Sequence, residues 1–444
     1  MVAYRAGTPI RVPQFLTDVQ RLVPLLGRGT HVLNACTDRY HFTVGLAAGL
    51  VSGKRSLLPS TQTPEMMRQL MAFAPDVICL TDDAECSIAL PRVSFPRAAT
   101  PAANGTPAPR GTTAAVPQVD EAQLCAYVFT SGSTGTPVPY RKSWGRLIAC
   151  VREGAGRLGL SGRAPWALLA TVPPQHMYGL EASVLLALGS GHALCAERPF
   201  YPADVAAALE ALPRPRALVS TPLHLRALLG SGVVLPPADL VVSSTAPLAQ
   251  QLAAETERRF GTRLVEIYGS TETGQIAARR TTQGPEWRLW PDVTLSSEGD
   301  TTWAAGGHIE QRTRMYDVLE MTGARSFLLH GRVTDLVNIA GKRSSLAYLN
   351  HQLNCIPGVE DGAFFHAEPW HASPAGVTRV AACVVAPQLD AARLLEALRE
   401  RIDAVFLPRP LLFVAQLPRN ATGKLSQEAL RSLAATPTKS ATVA

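Results

Sequence analysis

No apolar run in this chain approaches the ~18 residues that a membrane-spanning helix needs. The longest, 42-FTVGLAAGLV-51, stops at Ser52 and is followed by Lys54 and Arg55. The N-terminus, MVAYRAGTPIRVPQFL, lacks the apolar centre of a secretory signal, so none is expected. The eight cysteines are scattered with no CxxC pair. That pattern speaks against a zinc site or a disulfide framework and fits buried thiols in a reduced cytoplasm. Dense Lys/Arg blocks interleaved with aromatics are missing too, which removes nucleic acid from the expected partners. The net charge of +7 is spread mainly over isolated arginines, where it would help attract an anionic substrate or a carrier protein. There are no internal repeats.

What is present is a chain of 444 residues, 46% hydrophobic, enough for two or more domains with large cores. From about residue 31 to 268, strand-like and helix-like segments alternate. Short β-rich runs include 31-HVLNAC-36, 77-VICLT-81, 124-LCAYVFT-130, 166-WALLAT-171, 216-RALVS-220, 239-DLVVSS-244 and 263-RLVEIY-268. Thr63-Pro64 and Thr221-Pro222 each put a capping hydroxyl before a proline at the first helical position. Leu248, Leu252, Thr256 and Phe260 trace one helix face. This alternation predicts layered α/β architecture with largely parallel sheets. Residues 96–118, rich in Pro, Ala, Gly and Thr, read as a surface loop or linker. A second unit begins near Gly331, with a helix at 345–356, strands at 362–366 and 378–386, and a charged helix at 390–404.

Four stretches carry residues suited to chemistry. In 130-TSGSTGTPVPYRKS-143, Gly132 and Gly135 free the backbone so that successive N–H groups can converge on an anion, and Ser131, Ser133 and Thr134 add hydroxyl donors. Read as strand, loop, helix, the stretch would lie at the carboxyl edge of a sheet. The P-loop signature GxxxxGK[ST] does not fit it, and Val138 stands where a lysine might be sought. In 266-EIYGSTETGQ-275, Tyr268 could stack on a base, and Thr271 and Glu272 could meet phosphate and a divalent cation. In 315–343, Asp317 could bind ribose hydroxyls, and Arg332 could contact the same sugar or a phosphate. In 417-LPRNATGKLSQEAL-430, Lys424 follows Gly423. Taken singly, each has a plain structural explanation: a polar turn, a capping aspartate, a solvated lysine.

In order, however, TSGSTGTP, SSTAPL (243–248), YGSTET, GRVTD and PRNATGK resemble the motif series of the adenylate-forming superfamily. That superfamily includes acyl- and aryl-CoA synthetases, luciferase-like proteins and the adenylation domains of peptide synthetases. The resemblance implies that Thr130, Ser131, Gly132, Ser133, Thr134 and Gly135 belong to a loop gripping the pyrophosphate. Thr245, Ala246 and Pro247 would lie against adenine, and Tyr268 would stack on it, with Gly269 and Ser270 in the same binding turn. Thr271 would contact the α-phosphate and Glu272 would hold Mg²⁺. Asp317, at the family's usual interval of 15 residues before Arg332, would bind the ribose although Met315-Tyr316 replace the usual Thr-Gly. His176, in 175-QHMYGL-180, would gate the acyl pocket. Lys424 would bridge carboxylate and α-phosphate, and Gly341 would lie beside a thiol tunnel.

The implied fold is α/β: a large N-terminal domain of layered β-sheets and helices over 1–331, shortened before residue 130, and a small mobile α+β lid domain over 332–434. Residues 435–444 are expected to form a disordered tail. The implied activity uses ATP and Mg²⁺ to convert a small carboxylic acid to an acyl-adenylate, then passes the acyl group to CoA or to the phosphopantetheine thiol of an acyl carrier protein. Segments 34–60 and 340–350 resemble most the compact hydroxybenzoate ligases of aryl-polyene and xanthomonadin-type pathways. Val138, Thr334 and Asn338 depart from the family pattern. They keep open a second reading, a catalytically silent nucleotide-binding or interaction protein in a synthase complex. A luciferase-like oxygenase finds no distinguishing residue.

Overall fold

The computed structural model describes residues 1–59, 61–96, 115–130, 138–162, 164–299, 301–332, 336–339, 342–366, 379–419 and 425–435. Two large sheets carry the N-terminal part. The first has six strands, in the order Arg92–Ser94, Ile78–Thr81, His31–Asn34, Arg55–Leu58, Leu124–Thr130, Val138–Ser143; all pair in parallel except the last, which is antiparallel. The second has eleven. Its centre is a parallel run in which Leu264–Ser270, Leu240–Ser243, Arg216–Ser220, Ala167–Ala170 and Ala193–Cys195 lie side by side.

Two features of this sheet differ from the expected parallel pattern. From Gly274 onward the strands return as antiparallel neighbours: Gly274–Arg279, Trp287–Leu289, Ser326–Arg332 and Asp317–Gly323. At the other edge the hairpin of Ala3–Arg5 and Thr8–Ile10 docks on Ala193–Cys195. Its two-residue turn, Ala6-Gly7, has positive φ at both positions, as a tight hairpin requires. Three-residue strands this short leave no alternation to read in a sequence.

One helix with little polar surface lies between the two sheets. Arg39–Val51 is buried along most of its length and touches strands of both sheets. One apolar cluster runs through Val32, Leu58, Val128, Leu168, Val219 and Val242, so the two sheets share a core. Asp38 caps that helix by accepting from the His41 N–H at 2.9 Å. Thr63 and Thr221 cap Pro64–Phe73 and Pro222–Gly230 as anticipated. At 0% exposure, Arg39 donates to Ser183 Oγ and to the carbonyls of Ala170 and Val172. These bonds hold the chain leaving Ala167–Ala170, which leads to His176.

A smaller C-terminal domain follows. The strands Asp361–His366, Val380–Val385 and Leu411–Phe413 form one sheet, with the helices Leu346–Asn354 and Ala391–Arg399 packed around it. Its core, which includes Leu349, Phe364, Val384 and Leu398, contains no residue before Val337. Asp361 ties the two parts together: Arg419 binds it through two 2.8 Å hydrogen bonds, and Arg226 of the large domain approaches it at 3.3 Å.

Candidate active site

The parallel run of the eleven-stranded sheet sends its carboxyl ends to one edge, where ligands of open α/β sheets usually bind. His176 follows Ala167–Ala170, Thr245 follows Leu240–Ser243, and the turn 271–273 follows Leu264–Ser270. The sequence-predicted residues of three separate motifs therefore meet at one edge. Ser244 Oγ donates to the Ile267 carbonyl at 2.9 Å, fastening the segment of Thr245, Ala246 and Pro247 to the neighbouring strand. Thr245 takes φ +82°, a left-handed conformation that costs a β-branched residue energy and is often found at binding sites. The Tyr178 hydroxyl donates to the carbonyls of Ser220 and Val242 at 3.0 and 3.2 Å, which clamps the segment after His176 across two strand ends. His176 itself is half-buried at the start of the short helix Met177–Gly179. Gly179 there has no room for a Cβ, because Pro173's carbonyl oxygen would lie 1.9 Å away.

The turn after Leu264–Ser270 is closed from within. Ser270 N–H donates to Thr273 Oγ1 and Thr273 N–H donates to Ser270 Oγ, both at 3.2 Å. Gly269 lies so close to the returning strand that a Cβ would sit 2.2 Å from Gly274's oxygen. Thr271 and Glu272 are half-exposed at the tip. The Glu272 carboxylate takes no hydrogen bond or salt bridge from any described residue. Tyr268, at 9% exposure, packs its ring near Trp287 and Phe327, and its hydroxyl donates to Asp317 Oδ2 at 2.6 Å. Asp317 pairs with Arg332 across two antiparallel strands, so these two motif positions stand opposite one another in the main chain.

The stretch 130–143 departs from the strand–loop–helix reading. Thr130 and Val138 are cross-strand partners, so the segment between them joins two strands of a hairpin, and the helix Trp144–Arg157 begins only after the second. Val138 is the first residue of the returning strand, 41% exposed. Alternation along Val138–Ser143 is blurred by Pro139 and by the charged pair Arg141-Lys142, which hid the strand. Ser131, Gly132, Ser133, Thr134 and Gly135 lie outside the described residues, as do Gly341, Thr334 and Lys424.

Beneath the turn lies a set of residues that motif reading missed. Lys142, Arg146, Cys150, Glu181, Gly274 and His308 line a small cavity. The Lys142 ammonium, 5% exposed, donates to the Glu272 carbonyl at 3.0 Å. Glu181 is 2% exposed and accepts from the Cys150 thiol at 3.3 Å. Burial raises its pKa to about 7, against the pull of Lys142, Cys150 and Gln275. Burial also lowers Lys142, and it lowers His308 to about 4 with help from the Lys142 charge. The one advance signal was the lysine near the end of the stretch 130–143, four residues past Val138, since Glu181 and His308 belong to no motif.

An ion carried by ATP needs few protein ligands, because Mg²⁺ is held through one or two carboxylates together with substrate phosphates. The unpaired Glu272 carboxylate fits that demand. Among the described residues, no group of three or more His, Cys, Asp or Glu side chains is placed to hold a metal.

Residues 27–304 match the family model described as AMP-binding enzyme. The 4-coumarate–CoA ligase of Rhodobacter capsulatus is 31% identical over 300 residues, covering 66% of this chain and 73% of that protein. The indoleacetate–CoA ligase of Aromatoleum aromaticum is 26% identical over 367 residues, covering 72% and 69%. Among solved structures, ATP-bound MatB from Rhodopseudomonas palustris superposes with a TM-score of 0.80 at 18% identity, over 97% of this chain and 95% of that one. The amide bond synthetase McbA from Marinactinospora thermotolerans gives 0.78 at 20% identity, over 97% and 96%. At these identities the superpositions speak for the fold.

Proposed function

The chain is a member of the AMP-binding enzyme family, and from that premise we propose that it activates a carboxylic acid with ATP and transfers the acyl group to a thiol. In the first half-reaction the substrate carboxylate attacks the α-phosphorus, the bond to the bridging oxygen breaks, and pyrophosphate leaves with its electron pair. The observation that carries this reading is the shared edge. There Glu272 and Thr271 stand on a closed turn, with Tyr268–Asp317 and the Thr245 segment on the same group of strands. Tyr268 and Thr245–Pro247 would bind adenine, Asp317 and Arg332 the ribose, and Thr271 the α-phosphate. Glu272 would hold Mg²⁺, which supplies charge neutralisation between two meeting anions. Residues 130–135 would grip the pyrophosphate, His176 would gate the acyl pocket, and Lys424 would reach the α-phosphate from a C-terminal domain spanning 332–434. That domain would then rotate, with Gly341 beside the thiol path.

The names of the relatives, 4-coumarate–, indoleacetate– and 4-chlorobenzoate–CoA ligases, favour an aromatic acid and CoA as acceptor. Within that class our reading takes a hydroxybenzoate-type acid, with an acyl carrier protein as the competing acceptor. All eight cysteines are unpaired, six of them buried, and among the described residues no helix is long and apolar enough to cross a membrane. Both features fit a cytoplasmic enzyme.

The test is ATP–pyrophosphate exchange across hydroxybenzoates, cinnamates and fatty acids, followed by intact-mass analysis of CoA and holo-carrier proteins. Exchange with an aromatic acid, and a loss of ~10²–10³ in rate for Lys424→Ala, is expected. ATP binding without exchange for any acid would replace this reading with the catalytically silent one.

A further inference from the structure

The two motif hairpins belong to different sheets, yet one buried side chain joins them. Lys142 sits on Val138–Ser143, the strand that returns from the 131–137 segment, and its ammonium reaches across to the carbonyl of Glu272. We propose that Lys142 is a positioning residue for adenylation: with Glu181 beneath it, it fixes the main chain at Glu272 and so sets where that carboxylate presents itself to Mg·ATP. This inference rests on the nucleotide site proposed above and adds two residues that the family motifs do not include.

Three observations carry it. First, a strand position facing a core is filled most cheaply by an apolar side chain, and burying an ammonium needs a compensating charge. That charge is Glu181, the strongest electrostatic partner of Lys142, ahead of Cys150, Glu310 and Glu272. Second, the turn is pressed directly onto this pair. Gly274 has φ +73°, and a Cβ there would stand 2.7 Å from Glu181 Oε1 and 3.4 Å from both Cys150 Sγ and His308 Nε2. Third, the surrounding elements are anchored together. Ser143 donates through its N–H and hydroxyl to Glu310 Oε1, both at 2.6 Å, and Arg146 donates to the Gly307 carbonyl. The lysine is therefore held on a rigid frame, with the hydrogen bond of its ammonium spent on the main chain of Glu272. A ligand carboxylate displaced by about 1 Å can cost ~10²-fold in rate.

The test compares wild type with K142M and with K142M/E181Q, the second removing both charges so that no carboxylate is stranded. Thermal unfolding establishes that each variant is folded. ATP affinity is then measured by titration calorimetry with and without Mg²⁺, alongside pyrophosphate exchange. We expect the double variant to keep its Mg²⁺-free ATP affinity within about twofold, to lose most of the gain that Mg²⁺ gives wild type, and to slow exchange by ~10–100-fold. A folded double variant with the wild-type Mg²⁺ gain would overturn the proposal and reduce Lys142–Glu181 to a structural pair. A wild type that binds Mg·ATP but exchanges pyrophosphate with no acid would overturn the enzymatic reading alone, since the Mg²⁺ gain still decides the role of Lys142. A wild type that binds no ATP overturns both.

Discussion

Two carboxylates lie almost fully buried under the same hairpin, Glu266 near its base and Glu181 under its tip, and they are treated differently. Glu266 is saturated. It accepts from Arg279 Nε at 2.7 Å and Thr281 Oγ1 at 2.9 Å on one oxygen, and from the Leu248 N–H at 3.2 Å on the other. Arg279 is itself fixed over the Trp287 ring. Glu181 has a thiol, Gln275 and the field of Lys142, whose hydrogen bond goes elsewhere. Burial raises the pKa of both. The difference teaches that a buried charge can serve as a rivet or as a support for a neighbour. Glu266 spends its lone pairs holding the Leu248 segment to the sheet, whereas Glu181 balances a lysine that holds something else.

The comparison is broken most sharply by removing each cation. Arg279→Met strands Glu266 among groups that cannot replace the guanidinium, and a loss of about 3–5 kcal/mol is expected. K142M should cost only ~1–2 kcal/mol, because Glu181, with a pKa of about 7, is about half protonated at pH 7 and can take up the rest of a proton once the lysine is gone. Denaturation midpoints of the two variants side by side test this, and equal losses would erase the distinction.

How much of this was legible beforehand follows from where the signals lie. Strands of four to seven residues bounded by turns were readable because each is a β-rich run between Gly, Pro or Asp breakers. The helix starts were readable because Thr63 and Thr221 precede prolines. The Tyr268, Thr271 and Glu272 positions were readable as one motif, and the fold does bring them to the edge shared with Thr245 and His176. The returning strand Val138–Ser143 was not readable, because Pro139 and the Arg141-Lys142 pair interrupt the alternation that marks a strand. Nor was the support beneath the turn. Lys142, Glu181 and His308 are 166 residues apart from first to last, and only the packing of two sheets around Trp144–Arg157 makes them neighbours. Buried polar networks are set by tertiary contact, and no local pattern announces them.

The pH dependence of stability sharpens the comparison further, since Glu181 and His308 act in opposite directions. Glu181 has its folded pKa raised from 4.5 to about 7, so its contribution is fully present below 4.5 and is lost as the pH rises through 7. His308 has its folded pKa lowered from 6.5 to about 4, by burial and then by Lys142 and Arg146. Its contribution is present above 6.5 and is lost as the pH falls through 4. Between pH 4.5 and 6.5 the two largely offset one another. H308Q should leave a fold that gains stability on acidification over that window, and E181Q one that loses it, each with a slope of up to about 1.4 kcal/mol per pH unit. Unfolding midpoints collected across the window decide the signs, and parallel profiles for the two variants would refute the opposition.

The smallest change removes one neutral donor from each carboxylate. T281V takes a hydroxyl from Glu266, and C150A takes the thiol from Glu181; each should cost ~0.5–1.5 kcal/mol. Stability alone will therefore not separate them, but function should. Glu266 keeps Arg279 and the Leu248 N–H after T281V, so the turn and its Glu272 stay in place, and the Mg²⁺ dependence of ATP binding should be unchanged. After C150A, Glu181 loses the thiol that donates to its carboxylate and shifts further toward its neutral form, which weakens its hold on Lys142. A rise of about twofold in the Mg²⁺ concentration needed for half-maximal ATP binding is expected for C150A and none for T281V. Equal responses would mean that both carboxylates support the turn alike, and that the rivet and the support are one structure.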